Sequence, residues 1–319
     1  MYDRITLWKD KVGEDCSHLV SLLENVKEQV SYETGEQKIF GSIKGMMVYI
    51  YPHIIRIDGS LTKFRNKGSN LITLNREETQ EALNCLSEEL HFGIEDARVS
   101  SLEFGTNFVM RYKPSAYIER MGDMPRRKKH LFSVDTLYYK HKGRSQPSTY
   151  VLYDKVADAR AKGMTIPMHF ENSNFLRVEL RLQGSIARQM GVTDVNATTL
   201  YQRDFYKKLM AKYIECYFSI SKINKLNTDF MERIKTPKDA VDGFVGLLLA
   251  EVGRGQQRID EYIEELKAQR IFAERTSLKR VKDALAKALN KAKLSEKDEL
   301  VAELDDQFLT LKSDNFPYI

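Results

Sequence analysis

The chain is poor in the residues that mark several common protein classes. It has three cysteines, Cys16, Cys85 and Cys216, far apart in 319 residues and in no Cys-x-x-Cys or Cys/His spacing. That spacing speaks against a disulfide framework and a structural zinc site. Reduced thiols suit a cytosolic protein. No run of about 18 apolar residues occurs, so a membrane span is not expected. The start, MYDRITLWKD, carries charges where a signal peptide needs an apolar stretch, and the expected location is the cytoplasm. No GxxxxGK[ST] loop is present, which disfavours a P-loop helicase, and no GxGxxG follows a strand. The six histidines, His18, His53, His91, His130, His141 and His169, form no His-x-His pair.

What is present is a chain with 42% hydrophobic and 30% charged residues, enough to bury a core and stay soluble. A formal charge of +5 permits a nucleic-acid partner without demanding one. Up to about residue 225, short β-branched and aromatic runs such as Met47–Tyr51, Ile54–Ile57 and Tyr150–Tyr153 alternate with Gly, Asn and Ser punctuation. One helix is expected from Arg76 to Leu90 after Asn75, and another from about Thr198 to Ile220. Beyond about Lys225 the pattern is helical only. Thr236-Pro237-Lys238-Asp239 opens one helix, Ser277 is expected to cap a second, and Ser295 to Asp298 resembles a capping box for the last. The expected fold is α+β: an antiparallel sheet with helices on one face over residues 1–225, then an all-helical C-terminal region over 226–319.

Three segments alternate polar and apolar residues, and a strand sends successive side chains to opposite faces. In Asn174 to Leu182, Arg177, Glu179 and Arg181 share one face, opposite Leu176, Val178, Leu180 and Leu182. A salt-bridged outer strand face explains this as well as a carboxylate set between two cations to hold a metal and a phosphate. In Ser101 to Phe108, Glu103 shares its face with Gly105 and Asn107. Taken together, Glu103 and Glu179 form a candidate site for Mg²⁺ or Mn²⁺, which favour oxygen ligands. In Val151 to Lys155, strand alternation puts Tyr153 and Lys155 on one face. A phenol with a pKa near 10 needs a metal or an ammonium nearby to act as a nucleophile. The chain has 16 tyrosines, most of which are packing residues in any such protein.

Two basic runs flank the Tyr153 segment. Arg126, Arg127, Lys128 and Lys129 form the denser one; Lys140, Lys142 and Arg144 lie in an expected hairpin loop. Such runs serve as solvated turns or as phosphate contacts. Arg280, Lys287 and Lys291 form a further cationic stripe on a C-terminal helix.

In order and spacing, these segments resemble the gene II/X family of phage and plasmid replication proteins, which are filamentous-phage rolling-circle initiators. Met1 to Ile5 is similar to the family's opening strand. Asp58 to Phe64 leads to Lys67-Gly68-Ser69-Asn70, like its strand and Gly-x-Asn turn. Ser101 to Phe108 is similar to its Arg-Ile-Asp strand, Tyr150 to Lys155 to its Tyr-x-Lys strand, and Phe175 to Arg181 to its Arg-Phe-Glu-x-Arg strand. The resemblance covers residues 1–220. It implies a nuclease core in which Tyr153 attacks DNA, Lys155 assists, and Glu103 and Glu179 lie at a metal site. Arg177 and Arg181 would position the phosphate backbone, with the basic runs binding DNA. The chain departs from the family in having Glu103 in place of Asp and Ser101 in place of Arg, and from many rolling-circle nucleases in lacking a histidine pair. The expected activity is metal-dependent nicking of one strand at a replication origin, leaving a 5′-phosphotyrosyl ester and a free 3′-OH primer. The expected partners are origin DNA, single-stranded and duplex, and a host helicase or polymerase. A non-enzymatic origin-binding regulator and an interaction protein for an acidic partner remain as rivals.

Overall fold

A computed structural model describes residues 1–11, 16–33, 35–141, 147–164, 166–223, 236–251, 255–271, 275–292 and 298–311. The strands are β1 (Tyr2–Asp10), β2 (Glu24–Val30), β3 (Gln37–Ile43), β4 (Met46–Ile50), β5 (Ile54–Ser60), β6 (Arg98–Met110), β7 (Arg127–Ser133), β8 (Thr136–His141), β9 (Ser148–Asp154) and β10 (Asn174–Gln183). They form one antiparallel sheet in the order β2-β3-β4-β5-β1-β6-β10-β9-β8-β7. The helices before residue 224 are α1 (His18–Leu22), α2 (Leu61–Arg65), α3 (Arg76–Leu90), α4 (Pro114–Glu119), α5 (Lys155–Ala161), α6 (Ile186–Met190), α7 (Ala197–Leu200) and α8 (Arg203–Phe218). After it come α9 (Pro237–Glu251), α10 (Gly255–Ala268), α11 (Arg275–Ala292) and α12 (Glu299–Thr310), and no strand occurs there among the described residues. The fold class is thus α+β with an antiparallel sheet. No helix among the described residues is long and apolar enough to cross a membrane.

Local chemistry explains most boundaries. Asn75 accepts from the Glu78 N–H while Glu78 accepts from the Asn75 N–H, a reciprocal cap that starts α3 where the sequence places it. Thr236 Oγ1 accepts from the Asp239 N–H at 3.1 Å at the start of α9, as expected. Three expectations need correction. The helix expected from Thr198 to Ile220 is two helices, because Asn196 caps a short α7 and Gln202 is extended (ψ 132°). Ser277 does not cap a helix; it lies inside α11. The strand of Tyr153 ends at Asp154, whose side chain accepts from the Ala157 N–H at 2.8 Å, so Lys155 is the first residue of α5 rather than a strand residue. Of the capping box expected at 295–298, residues 295–297 lie outside the described residues, and Asp298 accepts from the Leu300 N–H. The boundary near residue 225 lies outside them as well.

The two sheet faces differ. Leu7, Leu102, Phe104, Phe108, Leu176, Val178, Leu180, Tyr150 and Leu152 are buried in the main core. The rings of α8 cover this face: Phe104 meets Tyr206 and Tyr213 edge-on, and Tyr213 donates to the Val178 carbonyl at 3.0 Å. The last helix packs here too. Phe308 of α12 stacks on Tyr217 with ring centroids 3.8 Å apart and meets Phe108 at 4.7 Å, while Asp298 pairs with Arg120 at 3.0 Å. The opposite face carries the polar side chains of β1, β5, β6, β9 and β10.

Candidate active site

Antiparallel register assembles a polar cluster at the centre of the sheet. Arg177 lies opposite Asn107 on one side and Tyr153 on the other; Glu179 lies opposite Gly105 and Val151; Arg181 lies opposite Glu103 and Thr149. A β-bulge in β1 adds a further acid. Tyr2 and Ile5 both face the core although three residues apart, and the register shift between them brings Asp3 into the polar cluster. Gly105 permits the close approach of β10: a Cβ there would sit 2.1 Å from the Val178 carbonyl oxygen and 2.8 Å from the Glu179 Cα.

The cluster is a continuous bonded network. The Tyr153 hydroxyl donates to Glu179 Oε1 at 2.9 Å. Arg177 Nε donates to the same oxygen, and Arg181 reaches Glu179 Oε2 with two N–H groups at 2.6 and 2.9 Å. Arg177 also reaches Asp3 at 2.8 Å and Asn107 Oδ1 at 3.1 Å. Asp3 accepts from Ser60 Oγ and from Asn70 Nδ2 at 2.8 Å. Arg181 lies 3.4 Å from Glu103. Lys155, buried at the start of α5, places its Nζ 5.9 Å from the centre of the Tyr153 ring.

Burial and charge set the protonation states. Burial alone would raise the Glu179 carboxyl, but Arg177 and Arg181 outweigh it and hold the group down at about 2. Burial and the neighbouring Glu179 push Glu103 up to about 7. Burial and the Glu179 carboxylate raise the Tyr153 phenol well above 10. Burial and the Arg177 guanidinium pull Lys155 down to about 8. The resting phenol is therefore neutral and hydrogen-bonded to a carboxylate.

Oxygens of Asp3, Glu103 and Glu179 all lie within 4.8 Å of one another. An all-oxygen donor set fits a hard divalent cation such as Mg²⁺ or Mn²⁺. Asn70 adds to the fit, because it donates to Asp3 yet its own Oδ1 is buried with no partner among the described residues.

The structure brings Tyr153, Lys155, Glu103, Glu179, Arg177 and Arg181 together from segments distant in sequence. Arg177 is 0% exposed, so its guanidinium braces Asp3 and Glu179 and offers no surface to a DNA backbone. Arg181 is partly exposed at the rim. The basic runs lie away from the cluster, toward the far sheet edge. Lys128 and Lys140 are exposed and face each other, and the line continues through Thr149 to Arg181 and Glu103. Arg126 is exposed, but Lys129 bonds the Met121 carbonyl at 2.6 Å and Arg127 bonds the Tyr139 and Ser148 carbonyls, so these two hold the hairpin. Lys142 and Arg144 lie outside the described residues. Of the neighbouring tyrosines, Tyr139 and Tyr150 are buried with hydroxyls donating to the Gly122 and Tyr213 carbonyls; Tyr138 is half-exposed and faces Val151 and His130. The residues that local spacing does not mark are Asp3, Ser60 and Asn70. The available signal was the adjacent pair Asp3-Arg4, which breaks the polar–apolar alternation of Tyr2–Leu7. No family model matches the chain, and no curated protein matches it significantly.

Proposed function

We propose that the chain is a rolling-circle replication initiator that nicks one DNA strand at an origin by attack of Tyr153. The convergence of Tyr153, Lys155, Glu103, Glu179 and Arg181 on one sheet face carries this reading. The scissile phosphate enters at the exposed rim, where Arg181 and Glu103 are partly open. A phosphate that draws Arg181 away from Glu179 makes that carboxylate a better base, and it takes the Tyr153 proton already donated toward it. The phenolate oxygen then bonds to phosphorus, the bond to the 3′-oxygen breaks, and that oxygen takes a proton to leave as a free 3′-OH. Lys155, cationic at neutral pH with its pKa near 8 and its Nζ 5.9 Å from the centre of the Tyr153 ring, offsets the developing charge and delivers that proton. Asp3, Glu103 and Glu179 would hold Mg²⁺ or Mn²⁺, which when bound supplies Lewis-acid polarisation of the phosphate. Arg177 pairs with both buried acids and holds them in place.

Burial of Tyr153 at 8% exposure favours one other reading, a non-enzymatic origin-binding protein using the same face. One experiment separates the two. A labelled single-stranded DNA pool is incubated with the protein and Mn²⁺, resolved on a denaturing gel, and the adduct mapped by mass spectrometry. The nickase reading expects a covalent DNA adduct on Tyr153 that Tyr153→Phe abolishes while DNA binding persists. Absence of any adduct removes it. An adduct that survives Tyr153→Phe moves the chemistry to another tyrosine, of which Tyr138 is the accessible neighbour.

A further inference from the structure

Beyond the acidic cluster, the same sheet face carries a second pattern. Register pairs Lys27 with Phe40, Phe40 with Tyr49, Tyr49 with Arg56, Arg56 with Trp8, and Trp8 with Arg98. One straight row therefore crosses β2, β3, β4, β5, β1 and β6 at about 4.8 Å per strand. Its composition is Lys-Phe-Tyr-Arg-Trp-Arg: three rings, three cations and no acid. None of the six is buried: Phe40, Tyr49, Arg56 and Trp8 are half-exposed, and Lys27 and Arg98 are exposed. The rings of Phe40 and Tyr49 are near-parallel, with centroids 5.8 Å apart and planes 25° from each other. The Arg56 guanidinium lies 5.0 Å from the Tyr49 ring centre and 5.7 Å from that of Trp8. Tyr51 extends the stack beside Trp8 at 6.0 Å and 21°. Lys38 lies over Phe40 at 5.8 Å.

We infer that this row is a stacking platform for unpaired bases of single-stranded DNA, distinct from the cluster around Tyr153. Three of its properties select that partner. Rings interleaved with guanidinium and ammonium groups match a ligand of alternating flat bases and negative phosphates, because bases stack on rings while cations track the backbone. Bases of a duplex are already stacked and paired, so a row of rings has nothing to hold there. The row is also continuous with the acidic cluster: along β1 it lies four residues from Arg4, roughly 13 Å at the strand rise. Arg4 bonds Asp58 at 2.8 Å, and Asp58 also accepts from Arg56 of the row. A strand entering the cluster therefore has a charged and aromatic path to follow. The DNA partner rests on the function proposed above; the platform itself does not require cleavage.

Trp8 is the only tryptophan in the chain, so stacking on the row has its own optical signal. The test titrates the Tyr153→Phe protein, without metal, with oligo(dT), an abasic oligonucleotide of equal length, duplex DNA and oligo(U). Oligo(dT) should quench Trp8 fluorescence, and the abasic strand should bind weakly and quench little. Phe40→Ala and Tyr49→Ala should each weaken oligo(dT) binding roughly 5- to 150-fold. Phe40→Leu and Tyr49→Leu, which keep apolar bulk on the strand but remove the ring, should lose binding in the same range while retaining the wild-type far-UV dichroism. Equal binding of the abasic strand, tighter binding of duplex or oligo(U), or unchanged affinity in the leucine variants would overturn the platform. Quenching by oligo(dT) in a protein whose wild type forms no adduct supports the platform and removes the nickase; an adduct without quenching does the reverse.

Discussion

Replacing Arg177 with methionine tests whether the buried network is held by charge. Methionine keeps most of the volume and removes every N–H. The change strips a partner from Asp3 and from Glu179, which are 3% and 1% exposed. Leaving buried carboxylates without their cation destabilises a fold by about 3–5 kcal/mol. A second route gives a similar size. Glu179 is held at about 2 against an ordinary 4.5, a displacement worth roughly 3 kcal/mol that Arg177 and Arg181 supply together against the penalty of burial. The pH dependence follows from the sign. A carboxyl whose folded pKa is depressed contributes its full stability above about pH 4.5 and loses it as pH falls toward 2. The gap between wild type and Arg177→Met should therefore be about 3 kcal/mol at pH 7 and less than half of that at pH 3. Urea unfolding followed by the fluorescence of Trp8 measures both. A gap below about 1 kcal/mol at pH 7, or one that stays constant between pH 7 and pH 3, refutes the reasoning.

Four other outcomes are expected. Because Glu103 is pushed up to about 7, divalent-metal binding must displace its proton, so Mn²⁺ affinity by calorimetry should rise with pH to about 7 and level off above; Glu103→Gln should flatten that profile. Wild-type stability should gain roughly 3 kcal/mol between pH 8 and 10.5, because folded Lys155 releases its proton at about 8 while the unfolded side chain keeps its proton to 10.5; Lys155→Met should lack that rise in paired urea titrations. Gly105→Ala forces a methyl to within 2.1 Å of a backbone carbonyl, and thermal melting should show a loss near or above the ~3 kcal/mol upper range for overpacking. Phe308→Ala should cost about 3–5 kcal/mol, since the ring is fully buried between Tyr217 and Phe108; a loss under about 1 kcal/mol would mean that α12 does not dock on the sheet in solution.

Period-two alternation made the strands of Glu103 and Glu179 legible before any coordinates, since side-chain direction along a strand is a local property. The cap at Asn75 and the start at Thr236 were legible for the same reason: each is decided within four residues. The assignment of Lys155 to a strand failed because Asp154 caps a helix, a local option that alternation does not reveal. Asp3 was missed because its place in the cluster comes from a bulge in a strand pairing 100 residues apart in sequence. Arg177, Arg181 and the basic runs carry one kind of charge in the sequence; burial and hydrogen bonding together divide them into a brace, a rim contact, hairpin supports and exposed cations.

The sequence by itself determined that Arg177, Glu179 and Arg181 share a strand face and where α3 and α9 begin, because backbone sterics and caps act over a few residues. The tertiary structure alone decided which faces meet and which charges lose their water. Strand order β1-β6-β10-β9 places Asp3, Glu103, Glu179 and Tyr153 side by side, and β3-β4-β5-β1 lines up Phe40, Tyr49, Arg56 and Trp8. Strand order is set by the whole core, through packing between segments far apart in the chain, and no local pattern encodes it.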